Sequence, residues 1–130
     1  MVSSPRLWQK KKPPPLAGAT LLHVLNGGVR LPVWEHWIAE HGPHALDVSH
    51  GLNFSTLDQA INAAIAGAGV VIVDEAMVVR ELQSGELVRH NDLFVEGPFG
   101  YWLVVPSQAS TPTPQRVHEF RAWLMALATA

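Results

Sequence analysis

The sequence predicts a three-layer α/β fold, in which a mainly parallel sheet is covered by helices on both faces. Short apolar runs bounded by glycine or proline alternate with stretches whose apolar residues recur every three or four positions, as expected of strands alternating with helices. Residues 70–73 are apolar at every position, which is typical of a parallel strand covered on both sides. Residues 114–128 have the clearest helical pattern.

The N-terminal part of the chain is predicted to be irregular. Residues 1–19 are rich in proline, serine and lysine, and the basic run at residues 10–12 is followed directly by three prolines. Such a composition is typical of an extended, solvated segment. Residues 20–25 then form a short apolar run that ends at Asn26 and two glycines, which predicts a buried strand and a turn.

A helix and a second strand are predicted next. Pro32 suits the first position of a helix. One apolar face of this helix consists of Trp34, Trp37 and Ile38. Residues 45–54 alternate well enough for a strand with a possible bulge at Gly51. The inward positions of this strand would be Leu46, Val48, Leu52 and Phe54.

A capped amphipathic helix is predicted to follow. Ser55 would be its N-cap, with Asp58 three residues later in a capping-box arrangement. Gly67 and Gly69 fit the end of this helix and a tight return to the next strand. The apolar stripe of the helix consists of Leu57, Ala60, Ile61, Ala64 and Ile65.

Short helices and strands are predicted for the remainder of the chain. Asp74 would cap a helix at residues 75–82, and a turn at Ser84 and Gly85 would lead to another strand. Residues 97–106 predict a further strand, which a polar, proline-rich loop connects to the terminal helix. The apolar stripe of the terminal helix consists of Val117, Phe120, Leu124 and Leu127.

Composition narrows the classes of function. The 130 residues suffice for one modest domain. The formal net charge of -2 lacks the basic excess that nucleic-acid-binding surfaces usually carry. The absence of cysteine excludes disulfides, thiolate metal sites and cysteine nucleophiles. The absence of cysteine also fits a reducing compartment, so we expect a cytoplasmic protein. No apolar run is long enough to span a bilayer, so we expect no membrane contact.

Catalytic motifs are not evident, so we expect a protein that is not an enzyme and needs no cofactor. No serine lies in a nucleophile elbow, and the glycines at 67 and 69 lack the lysine of a phosphate loop. Four histidines could be ordinary surface and loop residues. Because neutral imidazoles are good zinc ligands, a histidine-metal protein stays an alternative. The histidines concerned are His36, His41, His44 and His50.

Five segments carry a family resemblance. They are WEHWIAEHG from Trp34, NFSTLDQAINAAIAGAGVVIV from Asn53, VVRELQSGELV from Val78, GYWLVVP from Gly100 and VHEFRAWL from Val117. In this order and spacing they resemble the C-terminal part of LysR-type transcriptional regulators, in the branch with the glycine-cleavage activator and the β-lactamase regulator. The resemblance implies one subdomain of the type 2 periplasmic-binding-protein fold, where two α/β subdomains flank a cleft for a small effector.

The resemblance also implies how the chain is organised and what it does. Residues 20–130 would be a partial effector-binding domain, with nearly all of the second subdomain in residues 20–96. Residues 97–130 would be the strand and helix that return towards the first subdomain. The implied partners are a small effector (an amino acid, peptide or organic anion) and a second copy of the chain in a homodimer. No segment matches the helix-turn-helix of the family, so no direct contact with nucleic acid is expected.

The effector site is implied by the same resemblance. The helix start at Ser55 and Thr56 would face the cleft, and Phe54, Tyr101 and His23 would belong to the site. The unpaired N–H groups at a helix start favour an anion. The residues alone also allow Ser55 and Thr56 to form a simple N-cap that binds no ligand. They equally allow Tyr101 to be a strand aromatic that packs in the core. An interaction module that pairs with a full-length regulator stays an alternative function.

Overall fold

The chain divides into two compact units, Met1–Phe99 and Gly100–Ala130. A computed structural model describes residues 1–97, 100, 102–105 and 113–128. The strands of the described part are β1 (Val2–Ser3), β2 (Leu21–Asn26), β3 (Val29–Arg30), β4 (Leu52–Phe54), β5 (Val70–Val71) and β6 (Val88–Arg89). The helices are α1 (Val33–His41), α2 (Leu57–Ile65), α3 (Val79–Ser84) and α4 (Gln115–Ala128).

The strands form one mixed sheet in the order β3-β2-β5-β1-β6, with β4 also paired to β2. Strand β2 is parallel to β4 and to β5, so that Leu22 lies opposite Leu52 and Val71. Strand β1 is antiparallel to β5 and β6, and β3 returns along β2 as a hairpin. The predicted α/β class is confirmed. The antiparallel pairs come from β1 and the hairpin, neither of which the sequence prediction included.

Helices cover both faces of the sheet, because consecutive strand residues point to opposite sides. Leu22 and Val71 pack with the buried stripe of α2 on one face. Leu21 and Val70 pack with Trp34 of α1 on the other. The indole of Trp34 is 1% exposed, and its Nε1 donates a 3.1 Å hydrogen bond to the carbonyl of Leu22. This bond satisfies a buried donor and fixes α1 over the sheet.

The apolar stripes predicted for the first two helices are confirmed. Trp34, Trp37 and Ile38 are the buried residues of α1. In α2 the buried residues are Ala60, Ile61 and Ala64, and Leu57 and Ile65 are partly buried against the same core.

Strand β1 corrects the prediction that residues 1–19 are irregular. Val2 pairs with Val71 and Arg89, and Ser3 is fully buried between β5 and β6. A strand of two residues is too short to show a periodic pattern, so it could not be recognised from the sequence. The basic run at residues 10–12 does lie in an exposed turn, which is closed by the pairing of Gln9 with Lys12.

Two side chains secure β1 through the buried hydroxyl of Ser3. Trp8 Nε1 donates to Ser3 Oγ at 3.1 Å, and Ser3 Oγ lies 2.7 Å from Nε2 of His90. The hydroxyl can donate to Nε2 in the neutral tautomer that carries its proton on Nδ1. The backbone N–H of His90 also donates to the carbonyl of Met1. The neutral imidazole therefore helps to hold the N-terminal strand in the sheet.

Acid should destabilise the protein through His90. Burial lowers the pKa of His90 from its ordinary 6.5 to about 4. The unfolded chain therefore binds a proton more readily, and the stability present above pH 6.5 is lost as the pH falls towards 4. Because the imidazole is partly exposed, we expect this group to remove about 1 to 2 kcal/mol of the free energy of unfolding. Urea unfolding of wild type and His90→Gln at about pH 7.5 and about pH 4.5 measures the loss. An equal loss in both proteins would contradict the assignment.

Two other predictions differ from the structure in detail. Of residues 45–54, only Leu52–Phe54 form a strand, because the preceding loop is held by side chains instead of a neighbouring strand. The helix predicted at residues 75–82 is a 3-10 turn at Glu75–Met77 followed by α3. Asp74 does cap that turn, by accepting from the N–H of Ala76.

The C-terminal part of the chain contains the predicted terminal helix, α4. Its described neighbours at residues 102–105 have no regular structure, and residues 98, 99, 101 and 106 of the predicted strand lie outside the described residues. Large apolar side chains on α4 are exposed in the single chain, among them Val117, Phe120, Trp123 and Leu127. The rings of Phe120 and Trp123 contact each other at 5.6 Å. No helix among the described residues is long and apolar enough to cross a membrane.

Candidate functional site

An exposed turn connects β4 to α2 at the carboxyl ends of the parallel strands. Strand β4 ends at Phe54, and Ser55 and Thr56 lead into the helix at Leu57. Both turn residues are exposed, whereas Phe54 is partly buried and packs against the core beneath α2. Because β2, β4 and β5 are parallel, their carboxyl ends meet at one edge of the sheet. Ligands of open α/β sheets bind outside this edge.

The helix start is capped one residue later than predicted. Thr56 is the N-cap, and its Oγ1 accepts from the backbone N–H of Gln59 at 3.3 Å. In return, Gln59 Oε1 accepts from the N–H of Ser55 at 3.1 Å. Thr56 has an extended backbone, so the helix cannot begin before Leu57. The sequence does contain the Thr-x-x-Gln form of the capping box, and this pattern could have indicated the correct cap.

The cap leaves part of the helix start available to a ligand. The backbone N–H groups of Leu57 and Asp58 have no acceptor within α2, because they precede the first helical carbonyl they could reach. Their partial positive charge attracts an anion. Ser55 contributes an exposed hydroxyl beside them, and Asp58 contributes an exposed carboxylate in the first turn. The turn therefore combines hydrogen-bond donors with one negatively charged side chain.

His23 does not reach this exposed turn. It lies on β2 opposite Asn53, but its ring points to the α1 side and contacts Trp34 at 6.4 Å. The residue is only 2% exposed, and its Nε2 donates to the carbonyl of His50 at 2.9 Å. Burial lowers the pKa of His23, so the imidazole is neutral. Its other ring nitrogen, Nδ1, is buried without a hydrogen-bond partner. The structure gives His23 a role in supporting the strands next to the turn.

The other predicted residues have different outcomes. Tyr101 lies outside the described residues. Among the described residues, no three His, Cys, Asp or Glu side chains come together to hold a metal ion. Two of the histidines considered for a metal site have other partners: His41 Nε2 lies 2.7 Å from the carbonyl of Phe94, and His50 Nε2 lies 3.1 Å from Asp47 Oδ2.

Sequence comparison identifies the family of this chain. The family model described as the LysR substrate binding domain matches residues 1–128. The chain belongs to the LysR substrate-binding-domain family. The match begins at the first residue, in agreement with the position of β1 inside the sheet.

Relatives of this LysR substrate-binding domain are transcriptional regulators. The chain is 31% identical over 121 residues to the glycine cleavage system transcriptional activator of Escherichia coli strain K12, covering 92% of the chain and 37% of that protein. It is 31% identical over 127 residues to the HTH-type transcriptional regulator TrpI of Pseudomonas aeruginosa, covering 96% of the chain and 40% of that protein. The chain thus spans well under half of the length of these relatives.

Two solved structures have the same fold over most of the chain. The effector domain of the regulator AmpR of Pseudomonas aeruginosa matches with a TM-score of 0.75 and 27% identity, over 98% of this chain and 58% of that one. The AmpR effector-binding domain of Citrobacter freundii matches with a TM-score of 0.76 and 25% identity, over 97% of this chain and 60% of that one. The fold is therefore that of a LysR-type effector-binding domain, which resembles periplasmic binding proteins.

Proposed function

We propose that this chain is the effector-sensing and dimerising part of a LysR-type transcriptional regulator that acts in the cytoplasm. Residues 1–97 would correspond to one subdomain, and the terminal helix would return towards the other. Binding of a small effector would change the geometry of the dimer, and DNA would be contacted by another part of the regulator. The exposed β4–α2 turn is the observation that carries the proposal.

The turn has the chemistry of a small anion site. A carboxylate placed at Ser55 and Thr56 would meet the N–H groups of the first turn of α2 and the hydroxyl of Ser55. The position at the carboxyl ends of β2 and β4 supports this placement, since the sheet supplies a rigid base there. Phe54 would contribute an apolar floor.

The charge of the turn favours an amino acid or peptide over a multiply charged anion. Asp58 lies in the first turn of α2, next to the proposed carboxylate position. Its negative charge would repel a dianion and would attract an ammonium group. An effector with one carboxylate and one ammonium group therefore fits the turn best.

The exposed face of α4 supports the homodimer in the proposal. Phe120 and Trp123 contact each other on this face with tilted rings, and both are more than half exposed in the single chain. A contiguous aromatic and aliphatic surface of this kind is typical of a protein interface. A second copy of the chain is the partner that the family's dimers suggest.

A ligand screen with Ser55→Ala and Thr56→Ala tests the effector site. Thermal-shift measurements against single amino acids and small organic acids should find a ligand that raises the melting temperature of the wild type. Each substitution should weaken binding of that ligand roughly tenfold. Ser55→Ala removes a hydroxyl that could contact the ligand, and Thr56→Ala removes the cap that orients the backbone N–H donors of α2.

Two controls separate binding from stability. Thr56→Ser keeps the capping hydroxyl and should retain most of the affinity. Ser55→Ala removes an exposed hydroxyl, so its melting temperature without ligand should match the wild type. If both alanine variants bind the ligand as well as the wild type, the effector site lies elsewhere.

A further inference from the structure

The loop that enters β4 is held by side chains of the β2–β3 hairpin. Arg30 donates from Nη1 to the carbonyls of Val48 and Ser49, at 3.3 and 2.6 Å. His23 donates from Nε2 to the next carbonyl, that of His50, at 2.9 Å. Three consecutive loop carbonyls thus accept hydrogen bonds from two side chains. We call Arg30, His23 and these carbonyls the hairpin latch.

Arg30 extends the hairpin latch into β4 itself. Its Nε donates to Oδ1 of Asn53 at 2.7 Å, so one guanidinium joins the loop and the strand. A planar guanidinium has five N–H donors in a fixed fork and can serve such acceptors at the same time. Hydrogen bonds from a charged donor are stronger than those between neutral groups. Lysine, with a single nitrogen, cannot reproduce this arrangement.

The loop also fits tightly against β2. Gly51 lies so close to the strand that a Cβ at this position would be 2.1 Å from the carbonyl oxygen of Leu21. Asp47 closes the loop from the other end, because its Oδ1 accepts from the N–H of Ser49 at 2.8 Å. The position of the loop is therefore set by contacts with the hairpin, since a regular strand begins only at Leu52.

Only Gly51 and the three residues of β4 separate the last carbonyl of the hairpin latch from the exposed turn. Asn53 is followed directly by Phe54, Ser55 and Thr56. A displacement of the loop would therefore also displace the start of α2, because the connecting segment is too short to compensate for it. We propose that Arg30 is a positioning residue, which holds β4 and thereby sets the geometry of the Ser55–Thr56 turn without contacting the effector. The importance of this geometry for binding rests on the proposed function.

Hydrogen exchange tests the positioning role without any ligand. In Arg30→Met, the amides of β4 and of Ser55 should exchange roughly tenfold faster than in the wild type, because bonds from a charged donor are lost. The amides of β5 should be unchanged and serve as an internal reference. Arg30→Lys should give an intermediate rate. Arg80→Met, which removes an exposed arginine of α3, should leave the rates of β4 unchanged.

Substitution of Asn53 provides a rescue test. Asn53→Asp keeps an acceptor for Arg30 Nε and should preserve the slow exchange of β4. Asn53→Leu removes the acceptor at similar size and should reproduce the faster exchange of Arg30→Met. Equal exchange rates in wild type, Arg30→Met and Asn53→Leu would overturn the proposal.

Titration with sodium acetate relates the hairpin latch to binding, with sodium chloride as the ionic-strength control. Acetate should shift the amide resonances of Ser55, Thr56 and Gln59, and its dissociation constant should be about threefold to tenfold larger in Arg30→Met. Unchanged acetate affinity in Arg30→Met would overturn the positioning role. If acetate leaves the wild-type turn unaffected while Arg30→Met still loosens β4, the hairpin latch is supported and the proposed anion site fails.

Discussion

Gly51→Ala should cost more than about 3 kcal/mol of the free energy of unfolding, which is a large part of the stability of a domain of this size. Gly51 has φ of +126°, a conformation that an alanine adopts only with strain. In addition, the new Cβ would lie 2.1 Å from the carbonyl oxygen of Leu21 and 3.0 Å from Cδ2 of His23. The first contact is with the backbone of β2, an interior strand that cannot move without disturbing its pairing with β4 and β5.

Gly67→Ala is the matched control for this prediction. Gly67 has φ of +87°, but no atom lies within 4 Å of the Cβ that alanine would add. This substitution should therefore cost only the backbone strain, about 1 to 2 kcal/mol. Urea unfolding followed by far-ultraviolet circular dichroism measures both variants. Equal losses would show that the packing of the loop against Leu21 contributes little.

Phe120→Glu combined with Trp123→Glu should convert the proposed homodimer into a monomer. The two rings lie in contact on the exposed face of α4, and aromatic residues at the centre of an interface commonly contribute about 2 kcal/mol or more each. Burying two carboxylates would add a desolvation cost. Together these effects should weaken association roughly a thousandfold. Sedimentation equilibrium over a range of concentrations measures the change.

Ala122→Glu is the control for the dimer prediction. Helical geometry places this residue on the side of α4 opposite the predicted apolar stripe, so the substitution adds one negative charge without entering the apolar face. The mass of this variant should equal that of the wild type. A wild type that sediments as a monomer at all concentrations, or a double variant that remains a dimer, would contradict the proposed interface.

Helices were the most predictable part of the fold, because their signals are local. The stripe of Ala60, Ile61 and Ala64 followed from spacing alone and is buried as expected. The error at the cap of α2 was one residue, and it arose because Gln59 reaches further back than Asp58. The bend after α2 was correctly assigned to Gly67, whose positive φ few other residues tolerate.

Contacts between residues far apart in the sequence could not be predicted. The burial of Ser3 depends on His90, which is 87 positions away, and the hairpin latch depends on Arg30, 18 and 19 positions from its carbonyl partners. Nothing in the local sequence distinguishes Arg30 from an exposed arginine. His23 illustrates the same limit, since its strand was predicted correctly, but the burial of its ring against Trp34 depends on packing that the strand pattern does not show.

The sequence by itself determined the α/β class and the buried faces of α1 and α2, because periodicity and glycine positions are properties of short segments. The family followed from the resemblance of five segments in their order and spacing. The tertiary structure alone decided that the N-terminus completes the sheet, that His23 is buried and that Arg30 holds the loop before the exposed turn. These features depend on which distant donors and acceptors meet when the chain folds. A buried polar group needs a partner, but its identity follows only from three-dimensional proximity.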